Sequence, residues 1–223
     1  MTVAYSILPE IDRVIGCETA GRSGEILRRI AGLFVGDAPR LNDAQIRLFD
    51  EVLLRLAANA ESGAKAELAR RLAPLANAPR QLIRSLAQDD DALVAGPILV
   101  QSPGLSGADL AAIAAAKGQG HLFAISCRKD LDTTLCGLLL SRGNDEVVGN
   151  LAGNISARFS QNDYSRLVDR AVRNPALAKK VAARADISDL LLRRLLEGAT
   201  ANVQQWLLAV AKPLMQGLPA TAI

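Results

Sequence analysis

The residues best suited to bind a partner are the basic side chains between positions 156 and 200. This segment holds nine arginines and lysines against five acids, although the whole chain has a net charge of only +3. Arg166, Arg170 and Arg173 follow at steps of four and three residues, so a helix would place them on one face. Such a face could bind phosphates or an acidic protein; a solvated helix surface is the alternative. The candidate binding residues, called the basic face below, are Arg166, Arg170, Arg173, Lys179, Lys180, Arg193 and Arg194.

Catalytic chemistry has little support in the sequence. His121 is the single histidine of the chain, which excludes a histidine-rich metal site. No Gly-x-Ser-x-Gly motif, no glycine-rich phosphate loop ending in Lys-Ser/Thr and no dinucleotide fingerprint occurs. Close helix packing explains Gly149 and Gly153 better than a phosphate loop does, because no lysine accompanies them. We therefore predict no catalytic residue, no metal and no cofactor. His121 stands near a predicted helix start, where a bond from its ring to the backbone is favoured over a contact with a ligand.

An acidic run at 89–91 could suggest a cation site. It also precedes a predicted helix, where carboxylates accept hydrogen bonds from free N–H groups and favour the positive end of the helix dipole. Asp145 recurs at the corresponding place in the next copy of the repeat described below. The recurrence favours helix capping over cation binding.

Two Arg-x-Asp boxes, Arg128 with Asp130 and Arg184 with Asp186, also recur at the same place in successive copies. A binding partner could recognise these charges. Their recurrence with the architecture favours a structural role in which they tie one helical pair to the next, as paired charges can fix register.

Composition predicts an all-α protein. Half of the residues are hydrophobic, mostly alanine and leucine, and only seven are aromatic. Alanine and leucine favour helices, whereas strands favour β-branched and aromatic residues. The three cysteines have no metal-like spacing, and Cys136 falls on an apolar helical face, which predicts a core position.

Nothing in the sequence predicts membrane insertion. The first residues have no basic start and include acids early, which excludes a signal peptide. The longest uncharged run, 92–108, is interrupted by prolines and is shorter than the ~20 apolar residues that a span requires. We expect a soluble, cytoplasmic protein with no membrane partner.

One pattern occurs three times, at 72–87, 125–140 and 181–196, so its copies are nearly evenly spaced along the chain. Its apolar columns step by one, three and one residues, which marks one face of a helix. The columns are Leu82/Leu135/Leu191, Ile83/Cys136/Leu192, Leu86/Leu139/Leu195 and Ala87/Leu140/Leu196. A second marker, LSGADL at 105–110 and FSQNDY at 159–164, recurs at nearly the same interval and combines a capping box with a hydrophobic staple. LNDAQI at 41–46 has the same form.

A period of this length leaves room for about four short helices in each copy. The predicted helices span about 6–17, 22–35, 43–60, 63–76, 79–88, 91–101, 106–117, 120–128, 131–141, 145–156, 160–173, 175–184, 187–197 and 201–211. Helices this short must bury their apolar stripes on neighbouring helices. We therefore predict an α-solenoid of short helical pairs. An N-terminal helical cap region (1–62) precedes the repeat region (63–223) in one continuous domain.

Longer segments resemble a bacterial family classed as a domain of unknown function, whose helices are HEAT-like. The resemblance is carried by 41–56 (LNDAQIRLFDEVLLRL), 67–79 (ELARRLAPLANAP), 93–110 (LVAGPILVQSPGLSGADL), 121–128 (HLFAISCR) and the Arg-x-Asp boxes. It covers nearly the whole chain from about residue 20. It implies a right-handed stack of HEAT-like helical pairs and no catalytic residues, because none are established for the family.

These observations favour a non-enzymatic scaffold for protein–protein interaction whose partner is unidentified. The alternative is a HEAT-like nucleic-acid-binding protein that uses the basic face. A base-removing glycosylase is a third hypothesis, but it would need a carboxylate among several aromatic rings, and the seven aromatic residues are scattered.

The predicted helix 43–60 suggests self-association. Val52 and Leu54 add apolar surface to the stripe that runs from Ile46 to Leu56. We expect this surface to be buried, either by the flanking N-terminal helices or by a second copy of the chain in a homodimer.

Overall fold

The computed structural model describes residues 20–199 together with 204 and 205. Within this part of the chain every regular element is helical and no strand occurs, which confirms the all-α prediction. The twelve α-helices described here are α1 (Ala20–Asp37), α2 (Asp43–Ala58), α3 (Ser62–Leu72), α4 (Arg80–Ala87), α5 (Ala92–Gln101), α6 (Gly107–Ala116), α7 (Gln119–Ser126), α8 (Thr133–Arg142), α9 (Asp145–Gly153), α10 (Gln161–Ala171), α11 (Pro175–Ala182) and α12 (Asp189–Gly198), and a 3-10 helix (Ala38–Arg40) follows α1. None of these helices is long and apolar enough to cross a bilayer.

The predicted helix positions agree with the structure within a few residues, and the largest differences lie at C-terminal ends. Helix α3 ends at Leu72 rather than 76, because Pro74 has no N–H with which to continue the helical hydrogen bonds and its ring crowds the carbonyl four residues earlier. Helix α9 ends at Gly153 rather than 156. There the Asn154 side chain accepts hydrogen bonds from the N–H and the hydroxyl of Ser156 at 3.1 and 2.8 Å, a local alternative to the helical bond.

Two predicted helices cannot be compared in full. The helix expected over 6–17 lies outside the described residues. The helix expected over 201–211 also lies outside them, except for residues 204 and 205, which are helical.

The predicted capping signals determine where several helices begin. All three capping boxes form: Asn42 with Gln45, Ser106 with Asp109, and Ser160 with Asp163. The staple next to the last box forms as well, with the rings of Phe159 and Tyr164 in an edge-to-face contact at 5.3 Å between centroids. Each box satisfies backbone N–H groups that the first helical turn leaves without partners.

One capping prediction is wrong. Asn144, not Asp145, is the N-cap of α9, and its side chain accepts a hydrogen bond from the Val147 N–H at 3.0 Å. Asp145 is the first residue inside the helix, where its charge still complements the helix dipole.

The repeated apolar columns form the core, as predicted. The buried leucines of these columns are Leu82, Leu86, Leu135, Leu139, Leu140, Leu191 and Leu195. In the third copy Leu192 and Leu196 are half-buried. Cys136 is fully buried, which confirms its predicted core position. This burial raises the pKa of the Cys136 thiol to about 12.

The chain divides into two compact units after Arg128. In the first unit α1, α3, α5 and α7 pack on one another in succession, while α2 packs on α4. The pairs α1–α2, α3–α4, α4–α5 and α6–α7 connect these two layers. The extra apolar residues of α2 are covered within one chain, since Val52 is buried and Leu54 is half-buried. The boundary predicted between the N-terminal cap region (1–62) and the repeat region (63–223) falls inside this unit. That boundary stays a prediction.

The second unit uses the same alternation. Helices α8, α10 and α12 pack in succession, α9 packs on α11, and the pairs α8–α9 and α10–α11 connect the two layers. Gly137 brings α8 close to α10, because a Cβ atom there would lie 3.2 Å from the Asp163 carboxylate. In both units, therefore, a helix packs on the second helix along the chain as well as on an immediate neighbour.

Helix α4 depends on a cap that comes from another helix. Its N-cap is Pro79, which the sequence pattern places at the first helical position, and this residue provides no side-chain acceptor. The buried carboxylate of Asp50, on α2, instead accepts hydrogen bonds from the N–H groups of Gln81 and Leu82 at 3.0 and 2.8 Å. One side chain thus completes the start of α4 and holds it against α2.

We expect Asp50→Ala to lower the free energy of unfolding by about 2–3 kcal/mol, because two N–H groups lose a charged acceptor at a buried site. Asp50→Asn, with one carbonyl oxygen, should have a smaller effect. Urea denaturation followed by circular dichroism measures both. Glu51→Gln, at an exposed position on the same helix, is the matched control and should change stability by less than about 0.5 kcal/mol. A loss from Asp50→Ala no larger than that of the control would contradict this role.

Candidate interaction surface

The structure separates the three arginines of the α10 segment. Arg166 and Arg173 are exposed, whereas Arg170 is half-buried. The Arg170 guanidinium donates a hydrogen bond to the Asp145 carboxylate at 2.7 Å and further bonds to the carbonyl oxygens of Gly143 and Leu140 at 3.2 and 3.4 Å. These carbonyls lie at the C-terminal end of α8, where a helix lacks internal donors. Arg170 therefore completes α8 rather than facing solvent.

Two further members of the basic face also bind within the unit. Lys180 on α11 donates to the Gly149 carbonyl oxygen at 2.9 Å, and its methylene chain lies over Gly149 and Gly153 on α9. A Cβ atom at either glycine would make only an ordinary contact with the Lys180 side chain, so the close helix packing predicted for them stays a prediction. Arg194 on α12 pairs with Asp169 on α10 at 2.6 Å.

The remaining members present their charges outward. Arg166, Arg173, Lys179 and Arg193 are exposed. Among the residues that the structure describes, Arg166, Arg173 and Arg193 form no ion pair and no side-chain hydrogen bond. The seven residues predicted as one basic face thus fall into two groups. Arg170, Lys180 and Arg194 bind other helices, although Lys180 and Arg194 are still exposed, and the other four are exposed without a contact of this kind being described for Arg166, Arg173 or Arg193.

An open cleft lies beside Arg173, which follows the end of α10. Its volume is about 440 Å³, and its lining residues are Asp145, Asp169, Arg170, Arg173 and Asn174. Asn174 is fixed as the N-cap of α11 and accepts a hydrogen bond from the Leu177 N–H at 3.1 Å. We call this site the α10 cleft.

The two carboxylates of the α10 cleft are neutralised by arginines of the same unit. Arg170 pairs with Asp145 and Arg194 pairs with Asp169, so each carboxylate already has a cationic partner. Arg173 is left with its positive charge uncompensated among the described residues. The sequence pattern identified the arginines but not Asp145, Asp169 and Asn174 as parts of one site; the spacing of Asp169 and Arg173 by one helical turn was the available signal.

Among the described residues of the second unit, Arg184 forms the most extensive polar network. Its side chain is only 3% exposed and makes a paired contact with the Asp186 carboxylate, with both N–O distances at 2.9 Å. The guanidinium also lies 4.7 Å from the centre of the Phe159 ring. Its other acceptors are the Tyr164 hydroxyl at 2.8 Å and the carbonyl oxygens of Asn154, Ala157 and Ala152 at 2.7, 2.8 and 3.4 Å. The network joins the end of α11 to α9 and α10, which confirms the tie predicted for this box.

Arg128 has the corresponding role in the first unit. It follows α7 and donates to the carbonyl oxygens of Leu99 and Ser102 at the end of α5. Burial lowers the pKa of Arg128. Asp130, the acid of the same box, adopts a left-handed conformation with φ 57° and donates its N–H to the Ser156 hydroxyl at 3.2 Å. Aspartate tolerates this conformation better than most residues.

The Arg184 network shifts the pKa values of its members. Burial raises the pKa of Tyr164 to about 12, and the hydrogen bond with Asp186 acts in the same direction. For Asp186, burial acts to raise the pKa, but the hydrogen bonds from Arg184 and Tyr164 outweigh it and the pKa is lowered. Burial also acts to lower the pKa of Arg184, and its hydrogen bonds to Asp186 and Tyr164 reverse the direction. The charged pair is therefore the stable form at neutral pH.

The acidic run at 89–91 is held by local partners. Asp91 caps α5 by accepting a hydrogen bond from the Leu93 N–H at 2.9 Å, which confirms the capping prediction for this residue. Asp89 pairs with Lys65, and Asp90 pairs with Lys117, whose hydrogen bond lowers the pKa of Asp90. Within the described residues no group of three or more His, Cys, Asp and Glu side chains is placed to hold a metal ion.

His121 lies in the same part of the first unit. Its side chain is buried, and Nε2 stands 2.8 Å from the carbonyl oxygen of Asp89. Because a carbonyl oxygen only accepts hydrogen bonds, Nε2 carries the proton and donates. The predicted bond from the ring to the backbone is confirmed, and it links the start of α7 to the segment before α5.

We expect Arg184→Met to lower the free energy of unfolding by about 3–5 kcal/mol, because several acceptors lose their donor while Asp186 loses its charge partner. Arg184→Lys should lose part of this stability, since an ammonium cannot bind a carboxylate and separate carbonyls in one plane. Urea denaturation gives both values. Arg194→Lys, at an exposed ion pair of the same unit, is the control and should cost less than about 1 kcal/mol. Equal effects at positions 184 and 194 would refute a special role for the buried arginine.

The lowered pKa of Asp186 predicts a pH dependence. A depressed pKa adds stability above the unfolded value of about 3.9, and this stability is lost as the pH falls through the folded value. We expect Asp186→Asn to destabilise the protein by about 1 kcal/mol at pH 7, since the carboxylate is half exposed. The difference from the wild type should shrink between pH 5 and pH 3 in urea titrations. In an Arg184→Met background the pH dependence of this difference should be smaller, because only the hydrogen bond from Tyr164 then lowers the pKa of Asp186. An undiminished pH dependence there would contradict the assignment to this pair.

Comparison with known proteins adds a family assignment to this geometry. No curated protein and no solved structure matches the chain significantly. A family model described as "Uncharacterised protein conserved in bacteria (DUF2336)" matches residues 94–219, which is more than half of the chain. The protein therefore belongs to this uncharacterised bacterial family.

Proposed function

We propose that the protein is a non-enzymatic scaffold for protein–protein interaction, built from short HEAT-like helical pairs. The observation that carries the proposal is the alternation of contacts in each unit, where a helix packs on the second helix along the chain. This is the packing expected of an α-solenoid, in which each helix buries one stripe and leaves another at the surface. Such stacks offer long surfaces to partners without any catalytic group.

The exposed part of the basic face supports a protein partner more than a nucleic acid. Arg170, Lys180 and Arg194 are held by acceptors of the second unit, so phosphates would have to compete with these contacts. Two carboxylates, Asp145 and Asp169, line the same cleft, and the uniformly negative backbone of a nucleic acid offers no cation that could pair with them. A mixed surface of this kind suits the alternating charges of a protein.

Nucleic-acid binding through the basic face stays the alternative, because Arg166, Arg173, Lys179 and Arg193 are exposed on one unit. It predicts an affinity that falls steeply as the salt concentration rises. Self-association through the N-terminal helices is a separate proposal that sedimentation velocity of the full chain would test.

The scaffold function predicts a reproducible protein partner. The full-length chain, tagged and expressed at native level in its bacterial host, should capture the same protein in independent preparations. Capture should survive nuclease treatment, because the contact is made by protein. The absence of any reproducible protein, or its loss after nuclease treatment, would overturn the proposal.

A further inference from the structure

We propose that the α10 cleft is the contact point for an acidic segment of the protein partner, with Arg173 binding a carboxylate in the cleft and Arg166, two helical turns earlier in the chain, binding another one outside it. The inference rests on the scaffold function and adds the place of binding and the chemistry of the partner. Three features carry it: an internal comparison with α6, the charge balance of the cleft, and the two carboxylates in its walls.

Helix α6 shows what the repeat needs at the positions of α10. The capping boxes align the two helices, so that Ser106 corresponds to Ser160. At the places of Arg166, Asp169 and Arg170, α6 carries three exposed alanines, which are Ala112, Ala115 and Ala116. The place of Arg173 is taken by Gln119.

Charges at these positions are therefore not required to form a helix of this type. Arg170 and Asp169 have structural partners, Asp145 and Arg194, that explain their presence on α10. Arg166 and Arg173 have no such partner among the described residues, and their long side chains are exposed. They are the charges of this segment that the fold leaves without a role.

The charge balance of the α10 cleft favours one additional anion. Asp145 and Asp169 contribute two negative charges, while Arg170, Arg194 and Arg173 contribute three positive charges. The N-terminal end of α11, which begins directly after Asn174, adds a positive helix-dipole potential. An incoming carboxylate would neutralise Arg173 without breaking either existing ion pair.

The walls of the cleft favour a carboxylate in a peptide over a phosphate. A guanidinium binds both anions in a paired geometry, but inorganic phosphate carries more negative charge than a carboxylate, so the two carboxylates of the cleft would repel it more strongly. A peptide also supplies N–H groups, which can donate to the exposed oxygens of Asp145 and Asp169. The cleft volume of about 440 Å³ lies within the range of roughly 300–1,000 Å³ that small binding sites occupy.

The test is direct binding of a fluorescein-labelled octaglutamate peptide to the full-length chain, measured by fluorescence anisotropy. An octaglutamine peptide, a 20-nucleotide single-stranded DNA and inorganic phosphate as competitor serve as comparison probes. The variant Arg166→Ala with Arg173→Gln gives the α10 segment the residues that the α6 segment carries. Arg29→Ala, which removes an exposed arginine from α1, is the matched control.

We expect octaglutamate to bind, octaglutamine not to bind, and the double variant to weaken binding about tenfold or more, while Arg29→Ala stays within about twofold. An effect of Arg29→Ala equal to that of the double variant would mean general charge attraction and overturn the proposal. Preferential binding of DNA or phosphate over octaglutamate would also overturn it. Circular dichroism and the urea midpoint of the double variant should match the wild type, and Arg173→Lys, which retains the charge, should retain part of the binding.

Capture of the native protein partner by the wild-type chain and by the double variant distinguishes the cleft proposal from the scaffold proposal. If the double variant still captures the native protein partner in full, the scaffold function stands and the cleft proposal fails. If no protein partner is captured by either chain, the scaffold function itself fails.

Discussion

Every α-helix ends in carbonyl groups that find no donor within the helix, and in this protein arginines from later helices supply the missing donors. Arg128 binds the end of α5, Arg170 the end of α8 and Arg184 the end of α9. In each case the donor comes from the second helix along the chain or from the residues just after it. The same hydrogen bonds that complete one helix therefore position the next helix of its layer.

Arginine suits this task for a physical reason. A guanidinium carries five N–H donors in a rigid plane, so a single side chain can satisfy several carbonyls and a carboxylate together. Arg184 does this at a site from which water is nearly excluded, where each unpaired group would be costly. Asp50 has the complementary role at the N-terminal end of α4, where its carboxylate accepts hydrogen bonds from two backbone N–H groups. Short helices with few internal bonds gain most from such partners.

The structural use of some charges changes how the others are understood. A count of arginines and lysines suggested one basic face, but Arg170, Lys180 and Arg194 bind neighbouring helices. The charges that remain available are fewer, chiefly Arg166 and Arg173, and Arg173 lies beside two neutralised carboxylates. This arrangement underlies the proposal of an acidic protein segment as ligand. Affinity there would come from a few well-placed pairs rather than from a broad positive field.

The sequence by itself determined the helices, most of their boundaries and the side of each that is buried. Composition, the Ser-x-x-Asp boxes and the leucine columns are local signals, because a capping residue acts within one turn and an apolar stripe follows the helical period. It could not distinguish Arg170 from Arg173, nor show that Asp50 caps α4, because these roles depend on distant parts of the chain that only tertiary packing brings within hydrogen-bond distance. The tertiary structure decided which charges bind other helices and which stay exposed without such a contact, since that division follows from distances between helices rather than from spacing along the chain.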